Sequence, residues 1–436
     1  MNGSPPLPLS GQLRGLRTAV DAVRLEGLVS RHLAAGRPVR AVRPGYVRFK
    51  GEDGALVGWW VSVADAEVLS FVTVRAAAPW RLASEAERLR MRHSVSFAGL
   101  EGVAQIDSEE LLLLAFPVDR ILHDLRALID VRKVRRILST IEPPFLATSE
   151  RVRKSSSRVT LVRYKPERRA VLRWDLVTRR EDGLAEGQQT LFFRRHAQDL
   201  GPNVAQALEA AREVSVRCPR RFTVVTPSLT IETALEGAPL DFDCGNSHCI
   251  ESQLASAGRV LARLHGAAPL ASLPRLTPRV ELDRVYETAR NVALLDPTCA
   301  QVAERVADRL AENLPPAGRP TLLHGDFHDG QLLFTADEPG LIDFDRAACG
   351  PVAYDLASFY AHLELRGLPQ SPLFASFLEH HYNAERPLPA PEELKWFKAC
   401  AVLRLALMAF RLLSHDWPVQ MSRLTERAAA LAEESA

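Results

Sequence analysis

The chain has 436 residues, 47% of them apolar and 25% charged, the balance of a folded protein too long for one ordinary core and suited to two or three domains. A formal net charge of +2 gives no field that would draw nucleic acid or an anionic membrane. No apolar run reaches the roughly 18 residues that a spanning helix needs, and the opening MNGSPPLPLSGQLRG lacks the basic-then-apolar layout of a secretory signal, so the expectation is a cytoplasmic protein. Six scattered cysteines (218, 244, 249, 299, 349 and 400) fit a reducing compartment better than a disulfide framework. Cys244, His248 and Cys249 fall close together, but a zinc site takes about four ligands and no second pair stands at a suitable spacing.

In chain order, a Pro-rich tip leads into a helical pattern over 13–35. YVRFK and LVGWWVSV flank GEDG, which predicts a β-hairpin, and EVLSFVTV reads as a third strand. Residues 118–141 carry apolar side chains near helical spacing and stop at Pro143-Pro144. Residues 1–145 therefore read as a small α+β domain without recognisable chemistry, its Trp59-Trp60 pair predicted to be buried against the domain that follows. From about 157 the pattern changes. RVTLVRY, AVLRWDLV and QTLFFRR predict three strands, residues 201–216 a helix opened by Pro202, and FTVVT and LTIETAL two more strands. Residues 237–436 read as mostly helical, apart from two short strands inside 322–350.

That segment, LLHGDFHDGQLLFTADEPGLIDFDRAACG, carries the chemistry. LLHGD and GLIDFD each read as a strand running into a polar loop, with ADEPG as the turn between them, and they place Asp326 and Asp343 17 positions apart. Two such carboxylates suit phosphoryl transfer, where one receives the proton of a substrate hydroxyl and the other holds the Mg²⁺ that bridges the nucleotide phosphates. In His324-Gly325-Asp326, Gln331, Ile342-Asp343-Phe344, Gly350-Pro351 and Asp355-Leu356-Ala357, taken in that order, the chain resembles the aminoglycoside phosphotransferase and choline kinase superfamily, small-molecule relatives of the protein kinases. The resemblance covers about 157–430, including AGRVLARLHGA at 257–267, and leaves the first 150 residues outside it.

What the resemblance implies is an α+β, bilobal protein-kinase-like fold, with an N-lobe at 157–236, a mostly helical C-lobe at 237–436, and the additional small α+β domain at 1–145 in front. It implies ATP and Mg²⁺ as cofactors, with the nucleotide between the N-lobe sheet and the 322–350 motif. Asp326 takes the place of the catalytic base, Asp343 that of the main metal ligand, and Asp345 that of a ligand for a second ion or a metal-bound water. Gln331 stands where the family carries Asn, and its carbonyl oxygen is a hard donor of the same kind. His324 orients the loop, Asp355 is a structural carboxylate, and His328 is either near the substrate or simply solvated. Arg194 (or Arg195) occupies the place of the phosphate-gripping strand Lys, with Glu209 or Glu213 on the next helix as its partner. The turn Lys165-Pro166-Glu167-Arg168 has no glycine to bring backbone N–H groups onto the phosphates, a task left to the Lys165 and Arg168 side chains. The nine Lys and Arg within 151–173 also read as solvated faces of exposed strands.

The expected function is transfer of the ATP γ-phosphate to a hydroxyl of a small molecule. A nucleotide-binding pseudokinase is the alternative, favoured by the Arg, Gln and glycine-free departures and opposed by retention of both Asp326 and Asp343. A metallohydrolase built on His324, Asp326 and His328 lacks a second ligand cluster. The acceptor is not legible; Glu364, Glu379 and Asp416 would favour a cation if they faced its pocket.

Overall fold

The computed structural model describes residues 15–50, 54–91, 95–145, 150–180, 186–222, 224, 226–242, 247–335, 338–368 and 370–434. The Pro-rich tip, most of the GEDG turn, the EDGLA stretch and Cys244 lie outside the described residues. The chain divides into two compact units: Met1–Gly201 with Arg221–Ala234 and Phe410–His415, and Pro202–Arg220 with Leu235–Ala409 and Asp416–Ala436.

The first unit opens with α1 (Gly15–Ala19) and α2 (Ala22–His32), the latter capped by Asp21, whose Oδ1 accepts the N–H groups of Val23 and Arg24. β1 (Val39–Phe49), β2 (Ala55–Val63) and β3 (Ser70–Ala76) follow, then α3 (Pro79–Arg90), β4 (Val103–Ile106) and β5 (Leu111–Ala115). The five strands form an antiparallel sheet in the order β1-β2-β3-β5-β4. Over 118–141 the structure has two short helices, α4 (Leu125–Leu128) and α5 (Val131–Leu138), in place of one long one. The Asp119 carboxylate accepts the N–H groups of Ile121 and Leu122 and so turns the chain before a helix can start.

A second antiparallel sheet begins with β6 (Glu150–Val152), β7 (Arg158–Lys165), β8 (Arg169–Arg180) and β9 (Glu186–His196). α6 (Gly201–Glu213) comes next and clusters with the second unit, before β10 (Arg221–Phe222) and β11 (Leu229–Thr233) complete the sheet as β10-β11-β9-β8-β6. β6 and β7 share one edge of β8. Period-two alternation sends Ala170, Leu172, Trp174 and Leu176 of β8 to the buried face together with Leu191 and Phe193 of β9. That face has no core of its own. Phe71, Phe116, Leu122, Leu128, Val134 and Leu138 pack into one cluster with Tyr164, Leu172, Trp174, Phe193 and Ile231. Trp60 packs against this shared core, edge-on to Phe71 at 5.0 Å, while Trp59 is turned to the other face and donates its indole N–H to the Ala19 carbonyl at 2.8 Å.

The second unit is mainly helical: α7 (Ser247–Leu264), α8 (Pro278–Ala293), α9 (Pro297–Glu312), and, after four short strands, α10 (Ala353–Arg366), α11 (Ser371–Glu385) and α12 (Pro391–Leu405). The four-residue α13 (Met408–Arg411), whose last two residues cluster with the first unit, precedes the last helix, α14 (Trp417–Glu434). The strands β12 (Thr321–Leu323), β13 (Leu332–Leu333), β14 (Gly340–Leu341) and β15 (Ala348–Gly350) form two small ladders, β12 with β15 and β13 with β14. α10 is buried nearly all round, as an element at the centre of a helical body must be. No helix among the described residues is long and apolar enough to cross a membrane.

Candidate active site

The two motif loops hang from these two ladders. β12 and β15 pair through buried residues, Leu322 opposite Cys349, and deliver the chain to His324. Gly325 then takes φ +76°, and a Cβ there would lie 2.0 Å from the Arg346 carbonyl oxygen, so only glycine lets the first loop cross the second this closely. Across the crossing, His324 Nε2 donates to the Ile342 carbonyl at 2.9 Å, and Ile342 N–H donates to the Gln331 carbonyl at 3.0 Å. These bonds tie the two loops into one piece.

Asp355, fully buried in the first turn of α10, anchors that piece. Its Oδ2 accepts the His324 N–H at 2.7 Å and its Oδ1 the Gly325 N–H at 2.9 Å. His265, next after α7, meets Oδ2 through Nε2 at 3.2 Å and Tyr382 Oη through Nδ1 at 2.9 Å. Because the carboxylate only accepts, Nε2 carries the proton and Nδ1 accepts from the tyrosine.

Asp326 lines a pocket with Gly325, Arg346, Tyr354, His362 and Arg404. Burial alone would raise its pKa, but Arg346 above all, with His328 and His362, holds it below the ordinary carboxylate value. Arg346 Nη1 is 3.4 Å from Oδ1. The group is therefore ionised at neutral pH and able to accept a proton. His328 is not loose in solvent. Its Nδ1 accepts the Gly330 N–H at 3.0 Å, and its ring stacks on His362 with centroids 4.1 Å apart. Asp329 ion-pairs with Arg366; burial opposes ionisation, but His328 and Arg366 bring its pKa down to about 2.

Asp343 sits at φ 66°, ψ 57°, left-handed backbone that costs a non-glycine residue about 1 kcal/mol or more and is kept mainly where function demands it. It is 9% exposed, Gln331 is 4% exposed, and Asp345 is half-buried in the single turn that follows. The Gln331 carboxamide nitrogen lies 3.2 Å from His328 Nε2. Among the described residues no three His, Cys, Asp or Glu side chains gather into a metal cage. Two carboxylates and an amide, all hard oxygen donors, fit a cation such as Mg²⁺, which takes few protein ligands and completes its shell with water and phosphate.

Arg194 is 7% exposed on β9, and the carboxylate set against it is Glu232, 3.2 Å away, not Glu209. Arg194 pairs in register with Thr230, and Glu232 lies two residues along the same face of β11, within diagonal reach of a long side chain. Glu209 is exposed on α6. Arg195 points to the opposite face, where its Nε meets both Asp124 oxygens at 2.8 Å. Lys165 is half-buried, its ammonium 5.8 Å from the centre of the Tyr46 ring. The three acids considered for a cationic acceptor are engaged elsewhere. Glu364 is buried with Tyr360 and Arg427, Glu379 pairs with Lys398 at 2.6 Å, and Asp416 accepts from Gln420. His265, Arg346, His362, Arg366 and Arg404 were not foreseen as site residues. Only His265 left a trace, as the end of the Leu-His helix.

The model of the phosphotransferase enzyme family matches residues 150–397, more than half of the chain. The chain belongs to that family. It is 46% identical over 62 residues to a methylthioribose kinase of Geobacillus kaustophilus (strain HTA426), a match covering 14% of this chain and 16% of that one. To a glucosamine kinase of Streptacidiphilus jiangxiensis it is 34% identical over 131 residues, covering 25% and 29%. The matches thus span less than a third of either relative. Among solved structures, amicoumacin kinase hAmiN in complex with AMP-PNP, Ca²⁺ and Ami superposes with a TM-score of 0.51 at 13% identity, over 70% of this chain and 95% of that one. At that identity the likeness shows the fold alone, and the fold is the kinase-like α+β one.

Proposed function

We propose that the chain is an ATP- and Mg²⁺-dependent phosphotransferase that moves the γ-phosphate to a hydroxyl of a small molecule. The observation that carries this reading is the locked pair of loops. Asp355 holds the His324-Gly325 backbone and His324 holds Ile342, so Asp326 and Asp343 are fixed on one rigid support. Positioning and charge are most of what phosphoryl transfer asks of a protein. Asp326, kept ionised and facing a pocket, takes up the acceptor hydroxyl's proton as its oxygen bonds the γ-phosphorus and the bond from that phosphorus to the bridging oxygen breaks, releasing ADP. Gln331, Asp343 and Asp345 would hold the cation, which when bound neutralises phosphate charge. Arg194, and Lys165 from the β7–β8 turn, supply the phosphate contacts. His324 and Asp355 serve as support.

Paired substitutions test the assignment. Asp343→Asn removes the charge that faces the metal, and metal-dependent nucleotide binding should weaken sharply. Asp326→Asn should leave Mg·ATP affinity nearly intact while turnover falls by roughly 10²–10⁴, the usual contribution of a positioned base. Titration of Mg·ATP into each variant beside the parent separates the two roles. Equal losses of affinity in both would contradict them.

A further inference from the structure

The tip of the β7–β8 hairpin is held from outside its own strands. Glu167 takes φ 62° in that turn, and its side chain is only 7% exposed. Its carboxylate accepts from Arg48 Nη2 at 2.8 Å, Lys50 Nζ at 2.6 Å and Arg120 Nε at 2.8 Å. A second carboxylate, Asp119, accepts the Glu167 N–H at 2.8 Å and the Tyr164 hydroxyl at 2.5 Å. Arg120 continues to Glu85 of α3 at 3.3 Å, and Glu85 pairs with the buried Arg75 of β3 at 2.8 Å. An unbroken chain of charges, Arg75, Glu85, Arg120, Glu167, thus runs from the first sheet to the hairpin tip.

A four-residue surface turn needs no such tether to form. Buried ion networks are an inefficient source of stability, since desolvation offsets much of the attraction, and in some proteins they serve instead to fix one geometry. In a kinase-like fold this is the turn that covers the nucleotide phosphates. Here it has no glycine, and the left-handed residue is a glutamate whose carboxylate is tied down. A flexible glycine loop could adapt to the phosphates; this one has to be set in place beforehand.

We propose that residues 39–122 act as a fixed brace for the phosphate-covering turn, with Glu167 as the positioning residue that sets nucleotide affinity rather than the rate of transfer. This rests on the nucleotide-binding reading above.

Glu167→Gln keeps the shape and removes the charge, and Lys50→Met removes one arm of the tether. Hydrogen exchange over 163–169 without nucleotide, Mg·ATP titration, and kcat with KM for ATP are measured for both variants and the parent. The brace predicts faster exchange across the turn. It also predicts nucleotide affinity weakened about tenfold in Glu167→Gln, the effect of losing charge-assisted hydrogen bonds, and less in Lys50→Met. kcat should stay within about twofold, because the interaction is uniform between ground and transition state. Unchanged exchange, or faster exchange with unchanged affinity, overturns it. So does a fall in kcat that tracks a lowered Tm, which marks a merely structural residue. A parent that binds no nucleotide sinks the kinase reading and this role with it, whereas a binding parent with equally tight variants sinks the brace alone.

Discussion

His362 is a histidine kept uncharged beside a candidate catalytic carboxylate. Burial chiefly, and then the neighbouring His328, lower its pKa to about 3, against the opposing pull of Asp326 and Asp329, while Arg404 acts in the same direction as burial. In the unfolded chain the same ring takes up a proton near pH 6.5. Between the two values the unfolded state binds more protons, so stability is full above about pH 6.5 and is lost progressively as pH falls toward 3. The expected outcome is a lower urea midpoint at pH 5 than at pH 7, with the difference reduced in His362→Gln. A midpoint difference that the substitution leaves unchanged would show that His362 does not govern it. The residue was invisible in the sequence because nothing in a helix pattern tells a core histidine from a site histidine. Asp326 and Asp343 were legible because motif spacing carries them. Arg346, one residue past Asp345, lay within reach of the same motif, yet only the crossing of the two loops shows what it faces.

At the level of elements, the crossing at Gly325 is the most demanding feature of the site. Any side chain there meets the Arg346 carbonyl and an unfavourable φ together. Gly325→Ala should push the two loops apart, and a displacement near 1 Å of a positioned group costs about 10²-fold in rate. Measured turnover in a variant that still melts cooperatively tests this; near-parental activity would mean that the loops can part without harm. β8 was legible because Ala170, Leu172, Trp174 and Leu176 recur at every second position, as a half-buried strand requires, and β9 because its Leu191-Phe192-Phe193 run is apolar and aromatic. Register was not. Whether Arg194 meets a helix acid or Glu232 depends on which residues of β9 and β11 stand opposite each other, and one-sided periodicity does not fix that. The 118–141 stretch misled in the other direction. Its apolar spacing is helical, but Asp119 spends its carboxylate on backbone N–H groups and on Tyr164, and the helix starts only afterwards.

For the whole molecule, the boundary that composition suggested near residue 145 is not a boundary between cores. Leu122, Leu128, Val134 and Leu138 come from before it, Trp174, Phe193 and Ile231 from after it, and they form one cluster. Trp174 adds a polar stitch, its indole N–H donating to the Leu128 carbonyl at 2.9 Å. The sequence could not show this, because each half alternates well enough to suggest a face but not what covers it. Fully burying one large apolar side chain is worth about 1.5–3 kcal/mol, so stripping several partners from one face exceeds the 5–15 kcal/mol by which domains are usually stable. A chain beginning at residue 150 should therefore fail to fold as a monomer, even though it holds every candidate catalytic and metal-binding residue. Expression of 150–436 should give insoluble protein, or a species that binds a hydrophobic dye and melts without a cooperative transition. A soluble fragment with a sharp melt, and Mg·ATP affinity equal to that of the full chain, would show instead that the second sheet can close its own core, and would remove the argument that the first 145 residues are part of the catalytic unit.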